Sequence, residues 1–296
     1  MSRILNAMTV DVEDYFHVSA FDGVVPRSTW PSLECRVEQN TDRLLGIFHE
    51  TGVKATFFVL GWVAERYPAL IARISAAGHE VASHGFAHRL VYDLTPELFR
   101  DDVRRSKALL EEASGVIVQG YRAPSFSITP RSLWALDILI EEGFTYDASI
   151  FPIQHDRYGI PVSARHPYRL QRSAGELIEV PGSTVKWGPL NLPVAGGGYF
   201  RIFPYRVTSW GIGRINRVDQ RPAIFYMHPW EIDPSQPRLP CGLLTRFRHY
   251  RNLALTEPRL RQLIADFDFG PVQTVLRRTF NQPVATAHGA PLPYLW

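Results

Sequence analysis

The sequence predicts an α/β fold curled into a distorted (β/α) barrel, with a helical appendage at its C-terminal end. Two observations carry that expectation. Over the first two-thirds of the 296 residues, short apolar runs alternate with amphipathic stretches, the pattern of parallel strands joined by helical crossovers. Four short clusters, Thr9–Asp14, Ser83–His88, Arg122–Ser125 and Phe225–Pro229, fall at or just after the ends of predicted strands. Parallel α/β folds place their ligand-binding loops there. A doubly wound sheet spreads such ends along an edge, whereas a barrel gathers them. Four clusters that meet at one point therefore argue for a barrel, distorted or incomplete.

The elements follow in order. Leu5–Val12 reads as the first strand, and Thr41–Glu50 as a helix with Leu44, Leu45 and Phe48 on one face. Ala55–Leu60 is a buried strand bounded by Gly52 and Gly61. Pro68 suits the first turn of a helix carrying Leu70, Ile71 and Ile74, which ends at Gly78 before a third strand at His79–Ser83. Thr95 and Pro96 open a longer helix to about Ala113. Val116–Val118 reads as the next strand, Pro130 starts a helix through Ile140, and Phe144–Asp147 is extended. The Pro- and Gly-rich stretch to Phe203 predicts irregular segments and short strands, followed by a helix from Pro204 and a buried strand at Ala223–Met227.

Beyond Cys241, Thr256 is the predicted N-cap of a helix whose apolar stripe is Leu260, Leu263, Ile264 and Phe267, with an upstream helix around Leu244–Leu255 packed on it. The expected organisation is one catalytic domain over residues 1–240 and a helical extension over 241–285, too short for much core of its own, then an irregular tail over 286–296. The extension is expected to serve folding or docking rather than chemistry.

Composition bounds the function. With 45% hydrophobic and 21% charged residues the chain is an ordinary globular protein, able to bury a core without staples. A net charge of +3, from 32 basic and 29 acidic residues without long blocks, predicts no nucleic-acid partner. The opening residues have too little apolar length for a signal peptide, and no run reaches a membrane span, so the default expectation is a cytoplasmic protein. Cys35 and Cys241 form no metal-type spacing.

The four clusters supply carboxylates, two closely spaced imidazoles, a guanidinium and a separate histidine, the inventory of a metal-assisted hydrolase. His84 and His88, four residues apart, share one face of a helical turn and can converge on one ion. In a chain with ten histidines the pair alone is weak evidence. Carboxylates at the end of the first strand strengthen it, because a His-His-carboxylate set leaves open positions for water and substrate. Asp11, Glu13 and Asp14 crowd three acids into four positions, and at the end of a buried strand they repel one another unless a cation or guanidinium stands near. Arg122, fixed by the following Ala-Pro, is the candidate guanidinium, against the ordinary reading of a surface arginine. His228 follows five apolar residues and precedes a proline, which places it at a rigid strand end. Its ordinary reading is a hydrogen-bonded structural histidine.

In this order the residues resemble the polysaccharide deacetylases of the NodB-homology type, a carbohydrate esterase family with a distorted (β/α) barrel and one divalent metal, usually zinc. Asp-Val-Glu-Asp-Tyr-Phe-His at 11–17, Tyr-Asp-Ala-Ser-Ile-Phe-Pro at 146–152, Gly-Gly-Gly-Tyr-Phe-Arg at 196–201 and Phe-Arg-His-Tyr-Arg-Asn-Leu at 247–253 are similar, more narrowly, to the branch found with exosortase-linked exopolysaccharide loci. The resemblance implies that Asp11 is the catalytic base, that His84 and His88 hold the metal, that Arg122 orients the base and that His228 is the catalytic acid. The common motif has two adjacent aspartates; here Asp-x-Glu-Asp leaves the carboxylate ligand open between Glu13 and Asp14. Ser125 stands where many relatives carry an aromatic residue whose backbone N–H holds the oxyanion, and Tyr226 replaces the usual leucine two residues before the acid. The family's Asp-Trp motif is not evident, and Asp147 stands as the candidate supporting acid.

The activity so implied is hydrolysis of N-acetyl groups from a hexosamine-containing exopolysaccharide, releasing acetate. Residues 151–199 would wall an open groove, with Trp187 and Tyr199 available to stack on sugar faces. The alternatives are an allantoinase-like amidohydrolase of small C–N substrates on the same fold, and a glycan-binding protein without catalysis. The acid/base pair argues against the last.

Overall fold

The structure, a computed structural model, describes residues 3–280. Its strands are β1 (Asn6–Val12), β2 (Thr56–Val59), β3 (Glu80–Ser83), β4 (Gly120–Tyr121), β5 (Tyr146–Asp147), β6 (Tyr168–Arg172), β7 (Gly175–Glu179), β8 (Thr184–Trp187), β9 (Leu190–Pro193), β10 (Ile224–Met227) and β11 (Phe269–Gly270). The helices are α1 (Val37–Thr51), α2 (Gly61–Arg66), α3 (Pro68–Ala76), α4 (Pro96–Ser114), α5 (Trp134–Glu141), α6 (Gly197–Ile202), α7 (Tyr205–Arg214), α8 (Leu243–Tyr250), α9 (Leu253–Asp266) and α10 (Val272–Phe280).

Seven strands run parallel in the order β10-β1-β2-β3-β4-β5-β7. Antiparallel β6 forms the edge, and β11 pairs with the start of β1. All seven residues of β1 are buried, as expected for a parallel strand covered on both faces. Alternation sends Met8, Val10 and Val12 toward the helices, while Ala7 joins Phe58, Ala82, Tyr146, Ala148 and Ile224 in a second apolar cluster lining the inner side of the curved sheet. Thr9 and Asp11 share that inner face. The gap between β7 and β10 is spanned by polar links, Ser183 Oγ accepting from Ile224 N–H at 2.6 Å and a bridge between Gly196 and Tyr226. The barrel is thus distorted and incomplete.

Local differences have local causes. The strand expected at Val116–Val118 forms instead at Gly120–Tyr121. Val116 and Ile117 are exposed, and Val118 N–H donates to Glu111 Oε1 on α4 rather than to a ladder. Gly120 is required where it lies, because a Cβ there would fall 2.0 Å from the Tyr146 ring. Thr256 is no N-cap. The chain breaks at Asn252, in the left-handed region with φ 57°, so α9 begins four residues earlier than expected and Thr256 Oγ1 donates back to Asn252 O.

Within 241–285, α9 buries Leu253, Leu260 and Leu263, β11 enters the sheet, and Val272, Val275 and Leu276 of α10 floor the inner cluster. These contacts support the proposal that the segment is an extension packed on the barrel; residues 281–285 and the expected irregular tail 286–296 lie outside the described residues. Among the described residues no helix is long and apolar enough to cross a membrane. Leu263→Ala is expected to destabilise the fold by ~2–5 kcal/mol, read by urea denaturation, and truncation after Pro240 to lower the melting temperature sharply. Unchanged stability in both would show that the barrel stands without the extension.

Candidate active site

Every strand end that carries a cluster opens on the same side. Glu13 follows β1 in a tight turn, its N–H donating to Asp11 O at 3.0 Å. His84 follows β3, with its N–H on Val59 O, and Arg122 follows β4, with its N–H on Ser83 O. These ladder bonds carry the strand register into the site.

Glu13, His84 and His88 converge, with one ligand atom from each lying within 4.8 Å of the others, and all three are buried. His84 Nδ1–H donates to Arg122 O at 2.8 Å, leaving Nε2 for the centre. His88 Nδ1 lies 3.4 Å from Ser19 Oγ, and its Nε2 is 3.3 Å from Glu13 Oε2, an oxygen without a hydrogen-bond partner. Burial lowers both histidines below the ordinary imidazole range, His88 to about 4, so both are neutral at pH 7 as ligands must be. Two neutral imidazoles and one carboxylate, whose Oε2 is otherwise orphaned, fit a divalent cation such as zinc.

Asp14, left open as an alternative ligand, does not join them. Its Oδ2 accepts from Arg36 N–H and Val37 N–H, and its Oδ1 from Tyr15 N–H. The two acids leave the turn after β1 on opposite sides, so Asp14 ties the start of α1 while Glu13 faces inward.

Arg122 lies inside the barrel, 4.1 Å over the Phe58 ring, and donates from Nη1 to Thr9 Oγ1 at 2.8 Å and to Asp11 Oδ1 at 2.6 Å. The other Asp11 oxygen is 3.9 Å from His228 Nε2, which is itself 3.0 Å from Glu13 Oε1. Burial disfavours the charged imidazole of His228, but Glu13 and Glu231 outweigh it and raise the group to about 10.

Ser125 and Tyr226 lie on the wall of a cavity of about 450 Å³ that reaches His228. Ser125 adopts φ 52° and Phe126 φ 53°, a left-handed pair that costs non-glycine residues roughly 1–3 kcal/mol each. Tyr226 packs on Gly197, where a Cβ would come within 2.7 Å of its ring, so the glycine run lets α6 close on β10. Trp187 and Tyr199 are not on that wall. Trp187 is exposed on the β8–β9 hairpin, and Tyr199 stacks on Phe203.

Sequence reasoning missed the layer behind His228. Glu231 Oε2 lies 3.6 Å from His228 Nδ1 and accepts from its backbone N–H at 3.1 Å. Glu231 is paired with buried Arg201 at 2.8 Å, whose Nη1 donates to His249 O and Arg251 O. Trp230 stacks between His228 and His249. Asp147 is engaged elsewhere, accepting from Ser149 Oγ and N–H. Glu231 stands three residues after His228 across a proline, a local spacing that could have been read; the arrival of Arg201 and His249 could not.

A parallel α/β barrel with a buried His-His-carboxylate set at its strand ends is an arrangement able to hold a divalent ion beside an open cavity. Residues 22–139 match the family described as Polysaccharide deacetylase, and residues 148–277 match a domain of unknown function. Over 98 residues the chain is 29% identical to a peptidoglycan-N-acetylglucosamine deacetylase of Bacillus cereus, covering 33% of this chain and 36% of that one. Over 113 residues it is 31% identical to a peptidoglycan deacetylase of Helicobacter pylori, 38% of each. The chain thus spans little more than a third of these relatives' length. A Mycobacterium smegmatis protein provisionally designated a polysaccharide deacetylase shares the fold, with a TM-score of 0.66 at 22% identity over 99% of this chain and 95% of that one. Over residues 22–139 the chain is thus similar to the polysaccharide deacetylases, and over nearly its whole length it shares the fold of the Mycobacterium smegmatis protein.

Elemental analysis after zinc loading should find the ion lost in Glu13→Gln, His84→Ala and His88→Ala and kept in Asp14→Asn. Retention in the first three would remove this donor set from consideration.

Proposed function

We propose that the protein is a metal-dependent hydrolase that removes N-acetyl groups from a hexosamine-containing polysaccharide, an exopolysaccharide by its branch resemblance. One observation supports this above the rest: Asp11, the Glu13–His84–His88 set and His228 come together beside one open cavity. The names of the curated relatives, peptidoglycan and chitooligosaccharide deacetylases, point the same way.

Glu13, His84 and His88 would hold the ion, whose chemistry when bound is Lewis acidity toward the amide carbonyl and the attacking water. Asp11 takes the water's proton on its free oxygen, its other oxygen being fixed by Arg122. The hydroxide oxygen bonds to the carbonyl carbon, and the developing oxyanion is met by the Ser125 N–H at its left-handed turn. His228 gives a proton to the sugar nitrogen as the C–N bond breaks, so that acetate and a free amine leave. Without that proton the leaving group would be an amide anion. Tyr226 and Phe126, 5.2 Å apart edge to face, supply the apolar surface for the acetyl methyl. Glu231 and Arg201 act through His228 and are positioning residues.

Asp11→Asn and His228→Ala should each lower kcat by ~10²–10⁴-fold on an N-acetylated oligosaccharide while metal content is kept. Near-normal acetate release in either would reassign that residue. For wild type the kcat/KM profile should be bell-shaped, its alkaline limb set by loss of the His228 proton. Because Glu231 raises His228, Glu231→Gln should move that limb to lower pH; an unmoved limb would separate Glu231 from the acid.

A further inference from the structure

The mouth of the cavity carries charge that deacetylation does not require. Two guanidiniums line it, Arg157 on the loop that follows β5 and Arg248 on α8. Among the described residues neither has an ion pair or a side-chain hydrogen bond. Of the other charged groups on the wall, Arg201 is matched with Glu231 at 2.8 Å, while the exposed Asp156 carboxylate lies 3.0 Å from His155 Nδ1, the nitrogen that accepts from Arg157 N–H.

Both guanidiniums attend one surface. The His155 ring stacks on Tyr158 at 3.9 Å and 16°. Burial keeps that imidazole neutral against the pull of Asp156, and the fields of Arg248 and Arg157 both add to the effect. The two cations, from segments far apart in sequence, thus stand around one aromatic stack on the path to His228. A neutral N-acetylated polymer would offer these cations hydroxyl and carbonyl acceptors but no opposite charge. Unmatched guanidiniums at a concave mouth attract anions, and their planar forks suit a carboxylate or phosphate.

We propose that the preferred substrate is an acidic glycan, in which a sugar next to the N-acetylated hexosamine carries an anionic group held by Arg157 and Arg248. This rests on the glycan reading of the site and adds the chemistry of the neighbouring sugar. It also gives α8, within the C-terminal extension, a part in substrate choice.

Calorimetry on the zinc-loaded full chain tests it with three probes: hyaluronan tetrasaccharide, the same tetrasaccharide with its carboxyl groups reduced to alcohols, and chitobiose 6-phosphate. At low ionic strength an anionic probe should bind about 10-fold more tightly than the neutral one, the scale of two exposed charge pairs. The preference should weaken with added salt and vanish in Arg157→Gln/Arg248→Gln, with an unchanged melting temperature showing that the variant is folded. The uronate and phosphate arms decide which anion fits. Equal binding of all three probes, binding of none, or a preference that survives the double variant would overturn the proposal. Acetate release is measured separately, on the three probes and on chitotetraose. An anion preference without acetate release from any probe would support this assignment while overturning the proposed activity.

Discussion

The site depends on one buried guanidinium. Arg122 is almost fully buried beside an inner cluster of aliphatic and aromatic side chains, where an unpaired charge is strongly destabilising. Its position at the end of β4 and its bonds to Thr9 and Asp11 on β1 fasten strands separated by β2 and β3. A flat sheet would hold those ends too far apart, so the pair belongs to the curved arrangement and favours it over flatter ones. Thr9 is drawn in twice, accepting from Arg122 and donating to Phe225 O on β10. Three strand ends are thereby indexed to one another before any ligand enters.

Behind His228 a second charged chain works on the same rule. Arg201 and Glu231 are both buried, and each satisfies the other. Arg201 spends its remaining donors on the carbonyls that end α8. The strand-end histidine is therefore held from below by its own turn, from the side by the Trp230 ring, and at one remove by the C-terminal extension. Buried polar networks tolerate partial removal poorly, since each member left alone is an uncompensated charge. The extension's contribution to the site is thus positional even where it touches no reacting atom.

What could be read from the sequence was whatever is encoded locally. The parallel α/β pattern, the strand-end placement of the clusters and the inner-face periodicity of β1 follow from two-residue and four-residue spacings, which are short-range properties. The choice between Glu13 and Asp14 was not legible, because it turns on which side of one tight turn each carboxylate leaves. Trp187 looked available for stacking because an exposed aromatic reads the same on any hairpin; its distance from the cavity is set by how β8 and β9 pair. Arg201 and His249 lay inside motifs already marked by resemblance, yet nothing between them in the chain states that they meet. That meeting is tertiary, made by the closure of α6 on β10 and the packing of α8 across it.

The proposed base and acid show how one small volume accommodates opposite demands. Asp11 has a guanidinium against one oxygen, which fixes the carboxylate and leaves its other oxygen toward His228. His228 has carboxylates against both ring nitrogens, which favour the protonated imidazole needed to give a proton. The two groups are only 3.9 Å apart, so their place in the cavity does not by itself distinguish their roles. The distinction comes from the neighbour each strand end brings: β4 delivers the cation to Asp11, and the turn after β10 delivers the anion to His228. Exchanging the roles would require moving a buried charge from one strand end to another, so the direction of proton flow across the cleft is built into the strand order.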